Sequence, residues 1–183
     1  MTINLLGDIA AGKGTQAGFL VKKYDLNYID TGSYSRSLVK KKVKGAIGRV
    51  EKGNLTKSDL IKNYLRKELE NLPFSKGVLL DGAKMPSEAK LVNNIWKKQK
   101  RDILVLYLKI PKSESLKRLK SRQRADDDPR AIKNRVSYYE KIYSKTIDYW
   151  KKQGLLKTIN GNRSVAKVRK DLDKAIKDFY GAL

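Results

Sequence analysis

The stretch Gly7-Asp8-Ile9-Ala10-Ala11-Gly12-Lys13-Gly14-Thr15, directly behind the apolar run Ile3-Asn4-Leu5-Leu6, constrains this chain more than any other. Its spacing is G-x-x-x-x-G-K with a further glycine before the hydroxyl. A glycine-rich turn that leaves a strand and opens a helix aims backbone N–H groups at an anion, and the helix N-terminus adds partial positive charge. Lys13 can then reach β- and γ-phosphates, while Thr15 can place its hydroxyl near Mg2+. The chain is therefore expected to begin strand, phosphate-binding turn, helix.

The rest of the sequence continues that alternation, which favours an α/β fold with a parallel sheet. Strands are predicted at Thr2–Leu6, Asn27–Ile29, Gly77–Leu80, Ile103–Lys109 and Leu155–Ile159. Helical periods fill Gly14–Tyr24, several short pieces between Ser33 and Leu72, Pro86–Lys100, Lys112–Arg122, one long helix Pro129–Gln153, and Val165–Tyr180. Asp128 before Pro129 has the chemistry of a helix start, and Gly154 that of a stop. Two segments do not fit a plain alternation: about 30–60 and about 122–128.

With 183 residues the chain makes one domain of ordinary size, and no apolar stretch approaches a membrane span. The N-terminus reads straight into a strand, so a cytoplasmic protein is expected. Cysteine and histidine are both absent. That excludes disulfides and thiolate sites, zinc among them, and removes the commonest general base. Lys and Arg number 42 against 19 Asp and Glu, a net +23. The excess is lysine scattered over nearly every helix, as in Lys40-Lys41-Lys42 and Lys151-Lys152, rather than arginine clustered with aromatics. A solvated lysine-rich surface is the expectation, and nucleic acid is not an expected partner.

A nucleotide loop needs a carboxylate near its metal. The apolar run Val78-Leu79-Leu80 ends in Asp81-Gly82 and supplies one. With it, the motifs become recognisable in order. Gly7 to Gln16 resembles the GxPGxGKGTQ loop of adenylate kinases and other nucleoside monophosphate kinases. Asp30-Thr31-Gly32-Ser33-Tyr34-Ser35-Arg36 is similar to their STGDxxR, Gly53-Asn54-Leu55-Thr56 to GxLV, and Leu79-Leu80-Asp81-Gly82 to the start of LLDGFPR. Arg118 and Arg122, then Arg124-Ala125-Asp126-Asp127-Asp128, resemble the RxxxR lid entry and the GRADDN of short-lid members, with Arg135 where a second lid-side arginine falls. Asn160-Gly161-Asn162-Arg163-Ser164 is similar to the DGTRS turn beside the adenine.

This resemblance implies a P-loop three-layer sandwich with a five-stranded parallel sheet, a helical monophosphate-binding segment at 30–60 and a short lid at 122–128. It implies transfer from ATP-Mg2+ to a nucleoside monophosphate, AMP by default, by a monomer. Gly7, Ala10, Ala11, Gly12, Lys13, Gly14, Thr15, Arg118 and Arg163 would hold ATP. Thr31, Gly32, Arg36, Leu55, Thr56, Gly82, Lys84 and Glu88 would hold the acceptor. Thr15 and Asp81 would serve Mg2+, largely through water. Lys13, Arg118, Arg122, Arg124 and Arg135 would neutralise the moving phosphoryl group, and Asp126 to Asp128 would orient those arginines and cap the next helix. The chemistry suits a chain without histidine, because a phosphate oxygen is already ionised at neutral pH and the task is to align two polyanions.

Three departures bear on this reading. Ser33 stands where the family has aspartate, leaving Asp81 alone at the metal. Ala10 replaces a loop glycine, and Asp8 and Ile9 replace prolines or small residues, which calls for ordinary backbone angles there. Ala83-Lys84-Met85 replaces FPR. With a one-residue deletion Lys84 stands in for the acceptor arginine and Glu88 for the base-reading glutamine; without a gap, Met85 and Ala89 occupy those places. A carboxylate at the base only accepts, which suits a base presenting N–H donors and allows a profile broader than AMP. Alternatives are a kinase for GMP, CMP or UMP, a weak ATPase, or an ATP-binding protein that docks RNA or a partner.

Overall fold

A computed structural model describes residues 1–44, 46, 56–121 and 129–182, without the side chains of residues 129–131, 135, 138 and 140. The expected N-cap Asp128 lies outside the described residues. Five strands, β1 (Thr2–Gly7), β2 (Leu26–Asp30), β3 (Gly77–Asp81), β4 (Ile103–Lys109) and β5 (Leu156–Asn160), form one parallel sheet in the order β2-β3-β1-β4-β5. Every residue of β1 is buried, as a central strand covered on both faces requires. Strands β2 and β5 form the edges and expose Asn27, Tyr28, Lys157 and Thr158.

Side-chain alternation along the strands divides the core in two. Ile3 and Leu5 face α1 (Lys13–Tyr24) and α8 (Val165–Tyr180), packing on Ala17, Leu20, Val168, Leu172 and Ile176. Leu6, Val78, Leu80 and Val105 face the other way, onto Leu65 and Leu69 of α3 (Ser58–Glu70), Val92 and Trp96 of α4 (Pro86–Lys98), and Trp150 of α7 (Ser144–Lys152). Helix, sheet and helix make the expected three layers. Helices α2 (Thr31–Lys40), α5 (Lys112–Ser121) and α6 (Pro129–Tyr138) are the others among the described residues. Asn4 is the exception in the second core: it is fully buried, and neither polar atom of its side chain has a hydrogen-bond partner among the described residues.

The long helix expected over Pro129–Gln153 runs without a break to Lys152 but changes its winding midway. A π-helical turn, Tyr139–Tyr143, separates α6 from α7. Such a turn inserts extra backbone into a helix and is frequent at functional sites. Tyr180, at the end of α8, reaches back to β1: its hydroxyl accepts the Thr2 N–H at 2.6 Å and donates to the Thr2 carbonyl at 2.7 Å. No helix among the described residues is long and apolar enough to cross a membrane.

Candidate active site

All five strands point their C-terminal ends to one edge of the sheet. Ligands of open α/β sheets bind there, where the strand order reverses on either side of the first strand. Gly7 ends β1 at that edge, and the turn Asp8–Gly12 carries the chain into α1. Within the turn the Ala11 N–H donates to the Asp8 carbonyl at 3.1 Å, and Gly12 has φ +86°. Ala10 corrects the expectation of ordinary angles. Its φ is +61°, in the left-handed region that an L side chain occupies at a cost of about 1–2 kcal/mol. The hydrogen bonds around the loop hold it there.

Lys13 begins α1 and folds back over the loop, its ammonium donating to the Gly7 carbonyl at 2.8 Å and to the Asp8 carbonyl at 3.3 Å. Thr15 is exposed in the first turn of α1. Asp81, at the end of β3, is buried and feels the positive charge of Lys13 and Lys84; burial nonetheless pushes its carboxyl above the usual range.

Asp81 does not stand alone. Parallel pairing sets Asp30 in register with it on β2, and Tyr28 adds a hydrogen bond to the Asp81 carboxylate. Asp30 caps α2, accepting the Gly32 N–H at 2.8 Å and the Ser33 hydroxyl at 2.5 Å. Burial pushes its carboxyl up, but the hydrogen bonds from Ser33 and Gly32 and the charge of Lys84 outweigh that and hold it below the usual range. Ser33 thus brings no charge of its own but donates to the carboxylate three residues earlier.

Above Asp30, the N-terminus of α2 is flanked by cations. A β-carbon built on Gly32 would lie 3.3 Å from an Arg36 guanidinium nitrogen and 3.9 Å from the Lys84 ammonium. Arg36 also donates to the Ser33 hydroxyl at 2.7 Å. Buried Thr31 donates to the Asp81 carbonyl at 3.3 Å and packs on Gly82, where a β-carbon would come within 2.2 Å of the Thr31 hydroxyl. Thr56 is buried, and Leu55 lies outside the described residues. Glu88 is buried in the first turn of α4 and accepts the Met85 N–H at 3.1 Å. Burial raises its carboxyl, opposed by the Met85 N–H, the Lys84 charge and the Ser58 hydroxyl.

Across the sheet, Arg118 of α5 pairs with Glu114 at 2.6 Å and directs both terminal nitrogens at the Gly161 carbonyl, 3.4 Å away. Its guanidinium thus lies against the β5–α8 turn. Arg163, in that turn, pairs with Asp171 at 3.0 Å and lines an open groove of about 620 Å³ with Ser164, Lys167 and Lys170. Arg122 and Arg124 lie outside the described residues, as does the side chain of Arg135. Sequence reasoning missed Asp30 and a set of tyrosines, Tyr107, Tyr139 and Tyr143, that converge on Gly7 and Asp8. Ten tyrosines in a chain with three phenylalanines were the available hint.

The adenylate kinase family model matches residues 5–155 of the chain, from β1 to the end of α7 and just beyond. The chain belongs to the adenylate kinase family. Similar proteins include the adenylate kinase of Staphylococcus aureus strain Mu50, 28% identical across 94% of this chain and 97% of its own length. Those of Lactobacillus helveticus and Lactobacillus acidophilus are each 29% identical, across 94% of this chain and 96% of theirs. The chain is accordingly a phosphotransferase with the chemistry of a nucleoside monophosphate kinase.

Proposed function

We propose that this chain moves the γ-phosphoryl group of ATP to AMP, with Gly7–Thr15 and Arg118 holding ATP and the N-terminus of α2 holding the acceptor. The observation that carries the reading is the pair of opposed cationic sites. The strand order puts the β1–α1 loop with Lys13 on one flank of β3, which ends in Asp81, and the N-terminus of α2, with Arg36 and Lys84 beside Gly32, on the other. The proximity of Lys84 to Gly32 favours the register in which Lys84 replaces the missing acceptor arginine. The name shared by the relatives supports AMP as the base acceptor.

In this reading residues 1–183 are one kinase domain with an acceptor segment at 30–60 and a short lid at 122–128. Lys13, Arg118, Arg122, Arg124 and Arg135 offset charge as the phosphoryl group passes between two anions. Lys84 and Arg36 orient the acceptor phosphate, whose oxygen needs no general base, and a covered site keeps water from competing.

The donor set is hard oxygen: the carboxylate of Asp81, that of Asp30 in register with it, and the Thr15 hydroxyl. Among the described residues no group of three or more acidic, histidine or cysteine side chains gathers as a protein cage for a metal. That fits Mg2+, which keeps several waters and uses one or two carboxylates plus substrate phosphates. Bound with ATP, Mg2+ would neutralise phosphate charge; Asp81 and Asp30 would hold its waters.

A coupled assay offering AMP, GMP, CMP and UMP in turn, with ATP and Mg2+, tests the reading. Fastest turnover with AMP is expected. A faster rate with another monophosphate would reassign the acceptor, and ATP hydrolysis unaffected by any of them would overturn the kinase reading.

A further inference from the structure

Asp8 puts a carboxylate on the loop that is to hold a polyphosphate, the wrong sign for attracting one. That carboxylate is fully engaged. Its Oδ1 accepts the Tyr107 hydroxyl at 2.5 Å and the Tyr139 hydroxyl at 3.1 Å, and its Oδ2 accepts the Ile110 N–H at 2.7 Å. One residue earlier, the Gly7 N–H donates to the buried Tyr143 hydroxyl at 2.8 Å. Tyr139 and Tyr143 pack with ring centroids 4.2 Å apart, and both come from the π-helical turn. Burial pushes all three phenols above their ordinary pKa and so favours the protonated, neutral form.

The backbone of Asp8 closes the loop at the same time. Its N–H donates to the Leu108 carbonyl at 2.9 Å, and its carbonyl accepts the Ala11 N–H and the Lys13 ammonium. Between Asp8 and Ala11 lies Ala10 at positive φ, a conformation that persists only when its surroundings over-determine it. Neutral phenols are well suited to that task. They satisfy the carboxylate without bringing in a cation that would pair with the nucleotide in place of Lys13.

Resting on the phosphotransferase reading above, we propose that Asp8 is a positioning residue, latched by Tyr107 and Tyr139, that fixes the phosphate loop and Lys13 for transfer. The latch joins the loop to β4 and to the π-helical turn, so the helix following residues 122–128 and the loop share one anchor.

The test uses the full chain and the variants Y107F/Y139F, Y139F and D8N, with Tm, ATP binding in the absence of acceptor, and kcat and KM for each substrate. Y107F/Y139F is expected to lower kcat or ATP affinity by about tenfold or more while the acceptor KM stays within about twofold, because two charge-assisted hydrogen bonds to the loop are lost. Y139F alone removes one hydroxyl and should move the same quantities in the same direction. Adding D8N to the double variant should cost less than D8N costs alone, the sign of groups acting through one another. Lower Tm with unchanged kcat and ATP affinity would overturn the proposal, and so would a rise confined to the acceptor KM. Absent transfer by the unmodified chain would instead overturn the proposed function, and ATP binding alone would then judge the latch by the same tenfold criterion.

Discussion

Asp30 and Asp81 end neighbouring parallel strands at the same register, and Lys84 lies close enough to act on both carboxylates. Two acids thus sit side by side at one sheet edge, Lys13 acting on Asp81 and Lys84 lying with Arg36 beside the start of α2. Each cation then has a separable task.

Lys13→Ala should lower turnover by at least about 10²-fold in a protein that stays folded, the scale of one preorganised contact to transition-state charge. Steady-state kinetics with circular dichroism check this. Near-normal turnover would remove the loop from the mechanism.

Lys84→Met acts on the other side. If Lys84 orients the acceptor phosphate, its loss should raise the acceptor KM about tenfold or more and leave the KM for ATP within about twofold. An effect confined to ATP would place the ammonium on the donor side instead.

Gly82→Ala should destabilise the fold by about 1–3 kcal/mol, since its β-carbon would sit 2.2 Å from the Thr31 hydroxyl and 2.5 Å from the Thr31 methyl. Urea denaturation measures the loss. Combining it with Thr31→Ala should cost less than the two single changes added together, because the clash is then partly relieved.

Asp173 ties α8 to α1 by accepting from Lys23 and Tyr24, with Lys177 also donating. The Lys23 and Tyr24 hydrogen bonds lower its carboxyl from 3.8 to about 2. The folded value lies below the unfolded one, so the stabilisation is complete above about pH 4 and is lost as the pH falls towards 2. The Tm gap between the unmodified chain and Asp173→Asn should therefore hold steady above about pH 5 and close between pH 4 and 2. A gap that persists at pH 2 would assign it to packing.

What sequence could and could not show follows from the range of each interaction. The strands were legible because runs such as Val78-Leu79-Leu80 are local, and each observed strand begins or ends within one residue of its expected place. The loop, Lys13 and Asp81 were legible because spacing along the chain carries them. Asp30 was not, since its pairing with Asp81 spans 51 residues and depends on strand register. Asp8 depends on Tyr107 and Tyr139, 99 and 131 residues away. The π-helical turn left no trace in Tyr139-Glu140-Lys141-Ile142-Tyr143, whose residues suit an ordinary helix as well, and alanine at position 10 does not announce a positive φ.

The order of the sheet has a consequence during synthesis. Of the five strands β1 is translated before the others, yet it takes the middle of the sheet, and its two neighbours begin at residues 77 and 103. At ribosomal speed that leaves an apolar nascent segment without its partners for on the order of ten seconds. Asn4 interrupts the segment at its centre, where an uninterrupted run of Ile and Leu would be prone to pair with other emerging chains. Tyr180 of α8, translated after all five strands, then fastens the start of β1 through both hydrogen bonds to Thr2.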